Sequence, residues 1–128
     1  MLQSAPAVSP QTVRRRLRLV IFHDGPRVWR ARGLEHDFVV EARTIGEVVR
    51  MAVRLVEAHT AFDLRHRHIP LTAFLPAPER CWSAYMTGTP VSVTELGVVL
   101  PNDWEICAAV AYRHPVDSES VDRLKILP

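Results

Sequence analysis

The feature that most limits what this chain can fold into is Thr44-Ile45-Gly46-Glu47 and the pattern behind it. Thr followed three residues later by Glu is a capping box. The hydroxyl accepts an orphan amide of the first turn, and the carboxylate reaches back to the Thr44 amide. Ile45, Val48, Val49, Ala52, Leu55, Val56 and His59 then recur at helical spacing, with Glu47, Arg50, Arg54 and Glu57 on the opposite face. The spacing predicts an amphipathic helix over 45–61, with Glu47 beside Arg50 and Arg54 beside Glu57 as weak pairs. A stripe this broad needs an apolar layer to cover.

The preceding residues supply that layer. Leu17, Leu19 and Ile21 share one parity; Arg16, Arg18, Val20 and Phe22 share the other. This is a strand with arginines at the start of one face. His23-Asp24-Gly25-Pro26 reads as a turn, because Asp-Gly tolerates positive φ and Pro sets the exit. Residues 27–33 alternate again as an antiparallel partner strand, 33–37 connect, and 38–42 form a third strand. Three strands followed by a helix indicate an α+β fold: a small antiparallel sheet packed by an amphipathic helix.

Beyond the helix, 63–70 reads as a polar exit loop and 71–75 as a short extended piece. Pro78 opens a second short helix with Cys81, Trp82, Tyr85 and Met86 as its apolar edge, and Gly88 stops it. Residues 90–96 alternate weakly. Trp104, Ile106, Ala108, Val110 and Tyr112 mark an additional strand, and Cys107, Ala109 and Ala111 make its other face apolar too, as in a strand covered on both sides. The organisation expected is a disordered leader over 1–13, one domain over 14–114 with an extension from about 71, and a mixed tail over 115–128, where Val121, Leu124 and Leu127 suggest a helical edge.

Composition narrows the class. In 128 residues, 16 Lys and Arg stand against 14 Asp and Glu, a net charge of +2 that does not by itself indicate nucleic acid. The two cysteines, Cys81 and Cys107, are too few for a secreted disulfide scaffold and lack CxxC spacing, so both read as small buried apolar groups. Arg14, Arg15, Arg16 and Arg18 precede only a short apolar stretch, the wrong order for a signal peptide, and no run is long enough to span a membrane. A cytoplasmic protein is expected. Trp29, Trp82 and Trp104 read as core anchors with most of each ring buried.

Residues 17–70 resemble the HicB-like antitoxin domain. The residues that carry the likeness are the first strand over 17–22, Asp24-Gly25, Trp29, Ala42-Arg43-Thr44-Ile45-Gly46-Glu47 leading into 48–55, and Ile69-Pro70. The resemblance implies a sheet covered by a helix, a reduced relative of the ribonuclease H fold. It also implies a protein that binds and silences a small basic RNA-cleaving toxin of the HicA type, and that assembles as a homodimer or larger oligomer. Residues 78–128 show no helix-turn-helix or ribbon-helix-helix, so protein binding is the activity implied most directly.

Three constellations bear on chemistry. His66 and His68, two apart, with Asp63 and His59 nearby, have zinc-ligand types, but Arg65 and Arg67 interleave and repel a cation; a solvated basic loop is the simpler reading. Asp24, Glu35, Asp37 and Glu41 lie near strand ends, as a metal-dependent hydrolase would need, yet no motif links them. No base partner accompanies Ser83 or either cysteine. The expectation is a non-enzyme without metal or cofactor. Arg14, Arg15, Arg16, Arg18, Arg30 and Arg32 remain as a basic patch, with Arg43 near it; solubility and protection of an edge strand are the simpler reading, and an acidic partner face is the functional one. RNA fits less well, since no stacking aromatics interleave. The function expected is a non-catalytic protein-binding module, either an antitoxin or an adaptor or structural subunit of a larger assembly. A free sheet edge favours self-association.

Overall fold

The structure, a computed structural model, describes residues 14–111. The expected leader over 1–13, Tyr112, and the tail with Val121, Leu124 and Leu127 lie outside the described residues. β1 (Arg15–His23), β2 (Trp29–Gly33) and β3 (Val39–Ala42) follow the alternation. β1 and β2 form a hairpin with His23 opposite Trp29 and Leu19 opposite Gly33. Its turn needs Gly25 at φ 91°, a conformation that costs a side-chain-bearing residue energy. The Asp24 amide donates to the Val28 carbonyl at 2.8 Å to close it. β3 adds antiparallel to β2, with Trp29 opposite Ala42 and Arg32 opposite Val39.

α1 (Ile45–Arg65) starts where the capping box places it. The Thr44 hydroxyl accepts the Glu47 amide at 3.1 Å. The return contact differs from expectation: Glu47 accepts the Thr44 hydroxyl at 3.2 Å rather than its amide. Val48, Val49, Ala52, Val53, Val56 and Thr60 are the buried face. His59 is exposed, and Thr60 takes the inward position expected of it. The helix also runs four residues beyond 61. No Gly or Pro interrupts 62–65, so nothing stops it before Arg67, which adopts φ 61°. The stripe covers Leu17, Leu19, Ile21, Ala31 and Val40 from one side of the sheet, together with Trp104, Ile106 and Ala108.

The segment after α1 is a chain of turns, not the extended piece expected over 71–75. Leu71 is fully buried at φ 65°, and an extended backbone cannot place it there. Asp63 supports the bend by accepting the Leu71 amide at 2.7 Å. The chain then reaches the other side of the sheet, where the Ala77 amide donates to the Leu34 carbonyl at 2.8 Å. α2 (Glu79–Thr87) lies there, with Cys81 inward. Val20, Leu34, Ala77 and Cys81 form this second core, flanked by Trp82, Ala84 and Tyr85. Met86, expected on the apolar edge, is 74% exposed because α2 has a single narrow buried face. Gly88 ends the helix at φ −81°, without the left-handed turn of a glycine stop. Its small size is what matters: a Cβ there would lie 2.6 Å from the Val110 carbonyl oxygen.

β4 (Thr89–Val91) and β5 (Trp104–Val110) complete a five-stranded sheet in the order β3-β2-β1-β5-β4. The fold is α+β, with a mixed rather than wholly antiparallel sheet. β5 runs parallel to β1, with Leu17 beside Ile106 and Val20 beside Ala109. Two central strands covered on both faces are what the double-sided apolar pattern of each requires. Trp104 is 1% exposed, whereas Trp29 and Trp82 are only half buried. Trp29 stacks on His23, and Arg18 lies over Trp82. Cys81 is buried and Cys107 half buried. No helix among the described residues is long and apolar enough to cross a membrane.

Candidate binding surface

The arginines singled out by sequence do not form one free basic patch. Arg16 and Arg18 lie on the α2 side of β1, and the β1–β2 register places Arg30 and Arg32 on that same side. Each has found a carboxylate. Arg15 meets Asp103 at 3.4 Å and Arg16 meets Glu105 at 3.3 Å. Arg30 bridges Asp24 and Glu41 at 2.5 and 2.6 Å. Arg32 grips Asp37 through two contacts of 2.7 and 2.9 Å. Glu35 accepts both the Arg18 amide and its guanidinium at 2.7 Å. Arg14 is exposed at the start of β1. Long-range pairing turns the expected cationic patch into an alternating-charge face.

The same contacts account for the carboxylates. Asp24, Glu35, Asp37 and Glu41 are all held by arginines, with no group of three metal-ligating side chains assembled among the described residues. His66 and His68 lie near each other, with ring centroids 6.3 Å apart, but the other residues of that constellation are engaged elsewhere. Asp63 is committed to the Leu71 amide, His59 packs edge-on against Phe74, and His66 stacks on Phe62 while its Nδ1 contacts the Phe62 carbonyl at 2.8 Å. Tyr85 lies on α2, partly buried beside the second core. Burial pushes its phenol above the usual 10.0, and the nearby Cys107 adds to this.

The surface with unmet bonding capacity is at the edge of the sheet. β3 and β4 are the two outer strands. β4 is three residues long and its middle residue, Pro90, has no N–H, a common way of blunting an edge. β3 lacks that protection. The Gly33 amide donates to the Phe38 carbonyl at 3.0 Å, and antiparallel ladders alternate. In the β2–β3 register, Val40 and Ala42 therefore point their backbone groups toward β2, and Val39 and Glu41 point theirs away from the sheet. The Val39 side chain is 50% exposed.

Two grooves border this edge and share Ala42 and Arg43. One, of about 450 Å³, runs along α1 and is lined further by Glu47, Arg50, Met51 and Arg54. The other, of about 360 Å³, is completed by Arg27, Val28 and Glu41. Among the described residues, Arg27, Arg43, Arg50 and Arg54 have no carboxylate within ion-pair distance. The pairs expected along α1 do not form. Glu47, the one carboxylate beside Arg50 in this groove, turns back to the Thr44 hydroxyl instead. Sequence reasoning singled out Arg14, Arg15, Arg16, Arg18, Arg30 and Arg32, of which all but Arg14 are paired. It put Arg43 only near that patch, expected Arg50 and Arg54 to be paired along α1, and did not single out Arg27. The available signal was the capping box itself, which withdraws Glu47 from its helical neighbour. Comparison with known protein families, curated proteins and solved structures returns no match.

Proposed function

We propose that this protein is a non-catalytic protein-binding module that docks a partner at the β3 edge. The observation that carries the reading is the outward-facing backbone of Val39 and Glu41, bordered by Arg27, Arg43, Arg50 and Arg54. Unpaired strand groups take a partner strand readily. A cationic rim adds orientation and on-rate. The arginine-bound state of the strand-end carboxylates supports binding over metal-assisted hydrolysis. The β1-β2-β3-α1 order, with α1 laid over the sheet, supports the likeness to HicB-like antitoxins.

A second reading, an adaptor in a larger assembly, draws on the sign of the rim. Four uncompensated arginines repel a basic toxin at this edge and attract an acidic subunit. Co-expression with the products of the flanking genes, followed by size-exclusion chromatography and an RNA-cleavage assay, tests the proposal. A stoichiometric complex that suppresses RNA cleavage supports the antitoxin reading. A stoichiometric complex without such suppression supports the adaptor. Migration of the chain apart from every candidate overturns the binding-module reading.

A further inference from the structure

We infer that the occupant of the β3 edge is an acidic, extended segment of a protein partner, added as a sixth strand. Its carboxylates alternate with apolar residues. This rests on the protein-binding reading of the same edge and specifies the chemistry of what binds.

Val39 and Glu41 each offer an outward N–H and C=O, two residues apart, which is the repeat of a strand. An added strand supplies both a donor and an acceptor at each step. Its side chains then point alternately to the two sides of the sheet. On the α1 side they meet Arg43, Arg50, Arg54 and the half-exposed Met51. Arg50 and Arg54 are one helical turn apart, about 6 Å along the axis. Alternate residues of a strand are about 7 Å apart. Carboxylates at every second position therefore fit that row. On the other side the incoming residues lie beside Val39, which favours an apolar side chain, and beside Glu41, whose carboxylate is already held by Arg30 and disfavours a second carboxylate there. The recognised pattern is carboxylate, apolar, carboxylate.

Two other occupants fit less well. Nucleic acid phosphates would satisfy the arginines but would face the outward carbonyls of Val39 and Glu41, acceptor against acceptor. The grooves also offer no aromatic ring for bases to stack on. A second copy pairing β3 with β3 would bring two sets of uncompensated arginines onto one seam.

The test uses the full chain and fluorescence anisotropy with three labelled probes: a short peptide alternating Glu and Val, the same peptide with Lys for Glu, and a single-stranded RNA. The Glu peptide is expected to bind at least about tenfold more tightly than the Lys peptide. Reversing two charges together, Arg50→Glu with Arg54→Glu, is expected to weaken it by about tenfold or more. Val39→Pro removes an outward N–H without touching the β2–β3 ladder and is expected to produce a similar loss, with circular dichroism unchanged. Hydrogen exchange gives a readout independent of any variant: the Val39 and Glu41 amides should gain protection when the Glu peptide is added. Equal binding of the Glu and Lys peptides, or no added protection at these amides, overturns the inference. Tighter binding of RNA than of the Glu peptide, or a β3-mediated dimer that excludes the peptide, also overturns it. A native partner complex that withstands both Val39→Pro and the double reversal leaves the binding-module reading standing and overturns the sixth-strand mode alone.

Discussion

The indole N–H of Trp104 donates to the hydroxyl of Thr60 at 3.0 Å, joining the first residue of β5 to the inward face of α1 across 44 positions of sequence. Trp104 is 1% exposed and Thr60 7%, so water cannot replace either partner. A buried donor left unsatisfied costs about 1–3 kcal/mol. Thr60→Val, similar in shape, should lower stability by that amount in urea unfolding, and Thr60→Ser should recover most of it. Equal midpoints for Val and wild type would show that the bond contributes nothing net.

The paired arginines differ in burial, and their worth should differ with it. Glu35 holds both the amide and the guanidinium of Arg18 in a partly buried site. Its replacement by Ala removes two charge-assisted bonds and should cost about 1–3 kcal/mol. Arg16 and Glu105 are about half exposed, and Arg16→Ala should stay within about 1 kcal/mol of wild type. Chemical denaturation of both variants checks the ranking; a larger loss for Arg16→Ala contradicts it.

Gly88 should tolerate no side chain. A Cβ would come within 2.6 Å of the Val110 carbonyl oxygen and 3.0 Å of that of Ala84, both backbone atoms that move only with their elements. Gly88→Ala is therefore expected to destabilise by about 1–3 kcal/mol through overpacking where α2 meets β5. Gly46→Ala, on α1 with its nearest atom at 4.0 Å, should be neutral or stabilising. Thermal midpoints of the two variants should move in different directions or by clearly different amounts.

Asp63 holds the Leu71 amide, and Leu71 occupies the left-handed region while fully buried. Asp63→Ala should release that turn at a cost of about 1–2 kcal/mol. Hydrogen exchange should then show faster exchange at Leu71 without change in β1. Unaltered protection at Leu71 would mean the turn is held by packing alone.

Stability should fall in strong alkali partly through Tyr85. Its phenol titrates above 10.0 in the folded chain, mainly through burial. Above the ordinary value the unfolded chain loses this proton first, so the unfolded state is favoured increasingly until the folded phenol also ionises. The contribution is full below pH 10.0 and declines as pH rises through the raised folded value. Tyr85→Phe should flatten this part of the alkaline curve of urea midpoints. Parallel curves for variant and wild type would refute the assignment.

The sequence alone determined much of the fold, because its strongest signals are local. The capping box places the start of α1, and parity places β1 through β3. The double-sided apolar run at Trp104 marks β5 as a central strand. Each of these needs only neighbours within a turn or a strand. Tertiary structure decided the rest. Parity says which face a side chain occupies, but not which strand lies beside it. Only the parallel β1–β5 register brings Arg15 to Asp103 and Arg16 to Glu105 across 88 and 89 positions. That pairing, with Glu35 on Arg18, Asp37 on Arg32, and Asp24 and Glu41 on Arg30, neutralises five of the six arginines conspicuous in the sequence, Arg14 being the exception. It leaves Arg27, Arg43, Arg50 and Arg54 as the uncompensated charges beside the open strand. Which cations remain free depends on where every carboxylate ends, and that is a property of the assembled sheet.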